Sequence, residues 1–300
     1  KANITCAKGN TMELQDKIDL YLSSCLTGKG AMSDEILDKL GDRVKETMRS
    51  QFNNGEREFK MSMSSIGRPL CMQQMQKAGA ERELDPPNLK TKFAYGYLTE
   101  ALCMAILEAA GVDVDEFQTE VEVVLANVPI HGTLDVVIDG KVWDIKSVTA
   151  TAFKGTYSRD DGFKRLVKDD PFGYIPQGYL YGRGRGLPFG GWIALNKESG
   201  EIAVMAAPHN GKKFEEAAIK EAEDNVAALV SDQPFKRCYE PVDDKAYKKT
   251  TGNKILHVRC SYCPYKHTCW GDQIEFKRRG SVILSNGTKK YISGKKWMFV

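Results

Sequence analysis

The stretch HGTLDVVIDGKVWDIKS, His131 to Ser147, decides how this chain is read. Asp139-Gly140 is the dipeptide that best tolerates the positive φ angles of a two-residue type I′ turn, and β-branched residues flank it on both sides, so the stretch predicts a β-hairpin. A turn of this kind fixes the register. If Ile138 pairs with Lys141, counting outward sets Asp135 opposite Asp144 and Thr133 opposite Lys146, all on one face by the two-residue side-chain period. The paired Cβ atoms would then lie about 5 Å apart. Like charges facing each other across a ladder destabilise it, so the placement calls for something positive between the two aspartates.

The rest of the 300 residues is consistent with a soluble globular protein carrying one large domain with appendages, or two small domains. No apolar run is long enough to cross a membrane, and KANITCAKGNTMELQDK at the N-terminus lacks the apolar core of a signal peptide. The expected location is therefore the cytoplasm, or the host cytoplasm for a phage-encoded chain. A formal net charge of +3 neither requires nor excludes nucleic acid. The distribution says more: no acidic residue follows Glu275, whereas Lys277, Arg278, Arg279, Lys289, Lys290, Lys295 and Lys296 do. Such a basic end can track phosphates or simply be solvated.

Along the chain, residues 1–60 read as a helical N-terminal region, with helices near Met12–Leu26 and Asp34–Phe52 parted by Gly28 and Gly30. Pro86 and Pro87 exclude a helix at DPPN, and Lys92 to Ala110 is a strong helix candidate ended by Gly111. Gln118–Ala126, Pro129–Ile138 and Lys141–Ser147 read as successive strands. The charged segment Phe153–Asp170 leads to a short helix that Pro176 would open at its first position. Gly191–Asn196 and Glu201–Ala206 suggest another strand pair, Lys212–Val230 an amphipathic helix, and Asn286-Gly287 a terminal hairpin. The expected plan is α/β, with a core over 61–270 and a basic extension over 271–300.

Glu100 stands alone in the apolar stretch FAYGYLTEALCMAIL, and burying an unpaired carboxylate is costly. Taken with the hairpin, it completes a set of hard oxygen donors, Glu100, Asp135 and Asp144, of the kind that holds Mg²⁺ or Mn²⁺ while a phosphate substrate fills the remaining coordination. Lys146, two residues past Asp144 and on its face, would orient or activate a water beside the metal. Gln177 and Tyr181, at i and i+4, share a helix face.

These residues, in this order, resemble the RecB-like branch of the PD-(D/E)xK nucleases. The likeness runs over Lys92–Tyr181: Glu100 in a helix after Gly96, Asp135 in GTLD, Asp144-Ile145-Lys146 as DIK, then Gln177 and Tyr181 in QGYLY. The resemblance implies a restriction-endonuclease-like core, a central mixed sheet flanked by helices. It also implies metal ligation by Glu100, Asp135, Asp144 and the Ile145 carbonyl, water activation by Lys146, and a helix carrying Gln177 and Tyr181 beside the site and the nucleic acid. Many members of that branch have a histidine in the helix motif where this chain reads Thr99-Glu100.

CSYCPYKHTCW sets Cys260, Cys263 and Cys269 within ten residues, beside Tyr262, Tyr265 and Trp270. Thiols gathered this closely are ligands far more often than core packing. Spacing alone does not choose between zinc, completed by a fourth thiolate or His267, and an iron–sulfur cluster. A subgroup of RecB-like nucleases has one cysteine before the core and a C-x2-C-x5-C run after it, and this resemblance implies a [4Fe–4S] cluster on Cys71, Cys260, Cys263 and Cys269. Its role would be structural, joining distant parts of the chain. Cys6, Cys25, Cys103 and Cys238 are expected to be small buried residues.

The expected activity is that of a Mg²⁺- or Mn²⁺-dependent deoxyribonuclease, an exonuclease acting on single-stranded DNA or duplex ends in recombination, repair or phage DNA metabolism. Two alternatives stand beside it. One is a DNA-binding or assembly protein that keeps the fold and cluster without turnover, which the intact Asp-x-Lys argues against. The other is a zinc-containing nucleic-acid binder.

Overall fold

The computed structural model describes the chain apart from residues 1–7, 54–58, 209–210, 247–248, 278–279, 284–286, 288, 293–295 and 300. Cys6, Asn286, Arg278, Arg279 and Lys295 lie outside the described residues. The chain divides into two compact units, one of residues 1–67 and 86–227 and one of residues 68–85 and 228–300. No helix among the described residues is long and apolar enough to cross a membrane.

The first unit opens with helices α1 (Lys8–Cys25), α2 (Asp34–Asn53) and α3 (Met63–Ile66); α4 (Leu70–Lys77) belongs to the second unit. Helix α5 (Leu89–Ala109) starts directly after DPPN, three residues earlier than the expected Lys92. It ends in a Schellman cap: Gly111, at φ +68°, donates to the Glu108 carbonyl and Val112 to the Leu107 carbonyl. A five-stranded sheet follows in spatial order β1-β2-β3-β4-β5. Its strands are β1 (Val114–Leu125), β2 (Val128–Ile138), β3 (Lys141–Val148), β4 (Phe189–Asn196) and β5 (Ile202–Ala206). All neighbours are antiparallel except β3 and β4, which are parallel.

A parallel pair needs a crossover. Here it consists of α6 (Ala150–Ala152), one π turn (Phe153–Tyr157), α7 (Gly162–Lys168) and α8 (Tyr174–Arg185). Pro176 sits in the third position of α8, not the first, because the left-handed Gly173 (φ +76°) precedes Tyr174 as the cap. Every residue of β4 is buried, as a strand covered on both faces requires. Close approach fixes α8 on the sheet: a Cβ on Gly178 would stand 2.3 Å from the Phe189 ring, and one on Gly132 of β2 would stand 2.7 Å from the Tyr181 ring. The opposite face carries the main core, where Leu14 and Ile18 of α1 and Cys103, Met104 and Leu107 of α5 pack on Val136, Ile138, Trp143, Ile145 and Ile193. Helix α9 (Lys212–Val230) ends the segment.

The second unit pairs α4 with a sheet in the order β6-β7-β11-β8, made of β6 (Val242–Ala246), β7 (Lys249–Ile255), β8 (Ile274–Lys277) and β11 (Lys296–Phe299). Strands β9 (Gly280–Ile283) and β10 (Lys289–Ile292) pair antiparallel on either side of the expected turn at Asn286-Gly287, Asn286 itself lying outside the described residues. Short helices α10 (Val258–Ser261) and α11 (Lys266–Trp270) carry cysteines, and Cys260 and Cys269 pack on a small core of Leu256, Trp270 and Ile274.

Candidate active site

The hairpin forms as its turn dictates. Asp139 and Gly140 both have positive φ, 51° and 64°, and Ile138 pairs with Lys141. The β2–β3 ladder then runs only to Val136 and Trp143. The expected continuation, with Asp135 backbone-paired to Asp144 and Thr133 to Lys146, does not form. Beyond Trp143, β3 stays paired with β4 through Val148 while β2 stays with β1, so a gap opens between β2 and β3. The Asp135 side chain bridges it, Oδ2 accepting the Ile145 N–H at 2.7 Å. On the same face Lys146 Nζ donates to Asp144 Oδ1 at 2.9 Å, the Asp144 side chain being 1% exposed and that of Lys146 17%.

Four charged groups act on one another here. Burial, then Asp135, pushes the Glu100 carboxyl up to about 8, against the opposing pull of Lys146. Burial, then Asp144, pushes Asp135 up to about 7. Asp144 is raised as well, chiefly by burial, with Lys146 opposing. Burial works against the Lys146 ammonium, but Asp144 and Asp135 together outweigh it and hold its pKa above the ordinary lysine value. Lys146 is therefore a cation throughout the neutral range. As an ammonium it can orient a water or steady an anion.

Helix α8 closes the site on the other side. Its first amides, Tyr174 N–H and Ile175 N–H, donate to the two oxygens of buried Asp170 at 2.9 and 2.8 Å, a cap that satisfies two orphan donors. The Tyr174 ring stands 4.9 Å from Lys146 Nζ. Gln177 and Tyr181 are buried and bonded to each other, Nε2 to hydroxyl at 2.9 Å. Tyr181 feels Asp144 and Asp135, so the pair backs the carboxylates. Ile145 is buried between β2 and β4. Thr99 is also buried and returns its hydroxyl to the Tyr95 carbonyl at 2.7 Å.

Two groups beside these were not expected from sequence. One is Asp170, the cap just described. The other is Tyr157, last residue of the π turn, whose hydroxyl is buried with no hydrogen-bond partner among the described residues while lying within electrostatic reach of Tyr174, Lys146 and Asp144. Single π turns recur at functional sites.

Among the described residues, no three His, Cys, Asp or Glu side chains are set so as to hold a metal ion as they stand. The chemistry of the donor set nevertheless fits a hard cation. Asp144 Oδ2 is buried with no hydrogen-bond partner among the described residues, and three carboxyls held well above their ordinary pKa are what a divalent ion relieves.

In the second unit, the Cys71 N–H donates to Cys238 Sγ at 3.1 Å. The Cys71 thiol feels Cys238 first and Cys263 more weakly, Cys260 feels Cys263, Cys269 and Cys238, and Cys263 feels Cys269. Burial, then Cys263 and Cys269, pushes Cys260 up to about 12. The expectation that the remaining cysteines are simply buried holds for Cys103, which lies in the main core, and fails for Cys25 and Cys238, which are exposed. His267 is engaged with Glu83 at 3.0 Å.

No family model matches the chain, and no curated protein matches it. Among solved structures it is similar to one named SSO0001, with 14% identity and a TM-score of 0.41 over 76% of this chain and 95% of the other. It is also similar to a "Putative exonuclease" from Eubacterium rectale, with 15% identity and a TM-score of 0.39 over 64% of this chain and 88% of the other.

Proposed function

We propose that this protein is a metal-dependent deoxyribonuclease that hydrolyses phosphodiester bonds, working as an exonuclease on single-stranded DNA or duplex ends. The observation that carries the reading is the meeting of Glu100, Asp135 and Asp144 around the Lys146 ammonium where β2 and β3 part. In this reading the three carboxylates and the Ile145 carbonyl hold Mg²⁺ or Mn²⁺. When bound, the cation lowers the pKa of a water and neutralises phosphate charge. The water gives up a proton to solvent as its oxygen adds to phosphorus, the bond from phosphorus to the leaving sugar oxygen breaks, and that oxygen takes a proton from solvent to leave as the alcohol. Lys146, fixed by Asp144 and by the Tyr174 ring, orients the water and faces the charge that develops on the phosphate. Gln177 and Tyr181 support this face from within α8.

In the same reading Cys71, Cys260, Cys263 and Cys269 hold a [4Fe–4S] cluster of structural purpose. Four protein thiolates leave no position open for substrate. Their grouping in one unit, with Cys71 and Cys260 both in electrostatic reach of Cys263, supports it.

End-labelled single- and double-stranded DNA, incubated with and without Mn²⁺, tests the activity. Wild-type protein should shorten the label only with metal, and Asp144→Asn should fail to. Equal cleavage by the two proteins, or none by either, would end the nuclease reading.

A further inference from the structure

One face of helix α5 emerges from the core halfway along its length, while Ala94 and Thr99, off that face, stay buried. Leu107 and Met104 are fully buried, whereas Tyr97 and Phe93 are 45% and 51% exposed. Positions 93, 97, 100, 104 and 107 recur at three- and four-residue spacing and so share one face of the helix. Glu100 stands at the point where that face emerges. The stripe therefore runs from core to carboxylate to two exposed rings, and Lys90 extends it by one more turn. Gly96, four residues before Glu100, leaves open space where a Cβ would stand. A second aromatic run reaches the site from the start of α8: Phe172 is 40% exposed, its ring centroid lies 5.5 Å from that of Tyr174, and Tyr174 covers Lys146.

Two exposed rings one turn apart, beside a lysine and a gap that admits a backbone, match what unpaired bases require. Every base has a π-face to stack, and the phosphates between bases follow positive charge. Duplex DNA hides those faces inside its own stack, so such rings are of use only to a single strand or a frayed end. We propose that Phe93 and Tyr97 form a base-stacking platform for single-stranded nucleic acid, the sugar-phosphate passing over Gly96 to the carboxylates, with Phe172 and Tyr174 flanking it on the Lys146 side. This rests on the nuclease reading and names the form of substrate the site takes.

The test is the binding of an oligothymidylate carrying one 2-aminopurine, measured by fluorescence and anisotropy in chelator so that nothing is cleaved. Wild-type protein should quench the fluorophore. Phe93→Leu/Tyr97→Leu, which keeps apolar bulk and removes the rings, should abolish quenching and weaken binding by about tenfold or more per ring, about 1.4 kcal/mol each. Tyr97→Phe should retain both signals, and all variants should melt with wild type. For cleavage of single strands, the double variant should show its loss mainly in KM. Unaltered binding and quenching in the double variant would overturn the platform, as would no binding by wild type. So would self-association of wild type that the double variant abolishes, since the rings would then face a second copy. Loss of binding in the double variant, with no Mn²⁺-dependent cleavage by wild type, would leave the platform standing and remove the nuclease reading.

Discussion

The Ile145 N–H donates to Asp135 Oδ2 at 2.7 Å, which makes one carboxylate both the bridge across the gap between β2 and β3 and a member of the charged site. Asparagine can accept the same hydrogen bond without the charge. Because burial and Asp144 both oppose ionisation of Asp135, Asp135→Asn should melt above wild type in chelator and lose metal-dependent cleavage. A lower melting temperature for the variant would count against the repulsion account.

Protons do in part what a cation would. Glu100 and Asp135 are raised to about 8 and about 7, whereas carboxyls in an unfolded chain titrate near about 4. Between those limits the folded state holds more protons than the unfolded one, so stability falls as pH rises. Metal-free protein should therefore lose melting temperature from about pH 5 to about pH 8, and Glu100→Gln should flatten the slope. Added Mn²⁺ should raise the melting point most at the alkaline end, where it no longer competes with protons. A flat profile in wild type would refute the linkage.

Lys146 is the counter-charge for a carboxylate whose side chain is 1% exposed. Removing one member of a buried pair costs about 3–5 kcal/mol, so Lys146→Ala should unfold at lower denaturant as well as lose cleavage. Lys146→Ala/Asp144→Asn should regain much of the stability and none of the activity. If the single variant were as stable as wild type, Asp144 would have another partner.

Tyr157 offers the reverse contrast. Its hydroxyl is buried without a hydrogen-bond partner among the described residues, and burial keeps it protonated. Tyr157→Phe should leave stability unchanged or raise it by about 1 kcal/mol. Cleavage should fall by about tenfold if the hydroxyl donates to the water or phosphate that enters the site. A destabilised Tyr157→Phe would show that the hydroxyl is already satisfied.

How much of this was readable in advance depends on how local the cause is. The type I′ turn at Asp139-Gly140 needs only its own two residues, and the apolar run of α5 only its own period, so both stand where the sequence puts them. The end of the β2–β3 ladder does not, because it depends on β4 holding β3 and β1 holding β2. Counting from the turn therefore places Asp135 and Asp144 on one face correctly and their backbone pairing wrongly. Asp170 was legible in principle, as an aspartate shortly before a helix, but it was hidden in a charged segment without a clear start signal. Tyr157 gave no signal at all, since a π turn has no sequence signature. The exposure of Cys238 beside Cys71 follows from a contact across 167 residues, which no spacing rule contains.

The cysteines carry the last prediction. If Cys71, Cys260, Cys263 and Cys269 hold a [4Fe–4S] cluster, protein purified without oxygen should be brown, with iron and acid-labile sulfide each near about four per chain by the cluster's stoichiometry. Cys71→Ala should lose the colour. Cys103→Ala should keep it, because that thiol fills space in the main core. Cys238→Ala is the sharper control: its sulfur accepts from the Cys71 and Leu70 N–H groups and meets the Cys71 thiol without belonging to the proposed ligand set, so the variant should remain brown with a shifted absorption or reduction potential, as removal of a hydrogen-bonded neighbour of a ligand thiolate would give. Ligation by Cys71 closes a loop of roughly 190 residues, and if loop-closure entropy acts here as it does for disulfides, its loss costs a few kcal/mol. Cys71→Ala should thus lose nuclease activity in step with melting temperature and regain part of it on cooling. Stoichiometric zinc without sulfide, or a colourless Cys238→Ala beside a brown Cys71→Ala, would show that the metal or its fourth ligand is assigned wrongly.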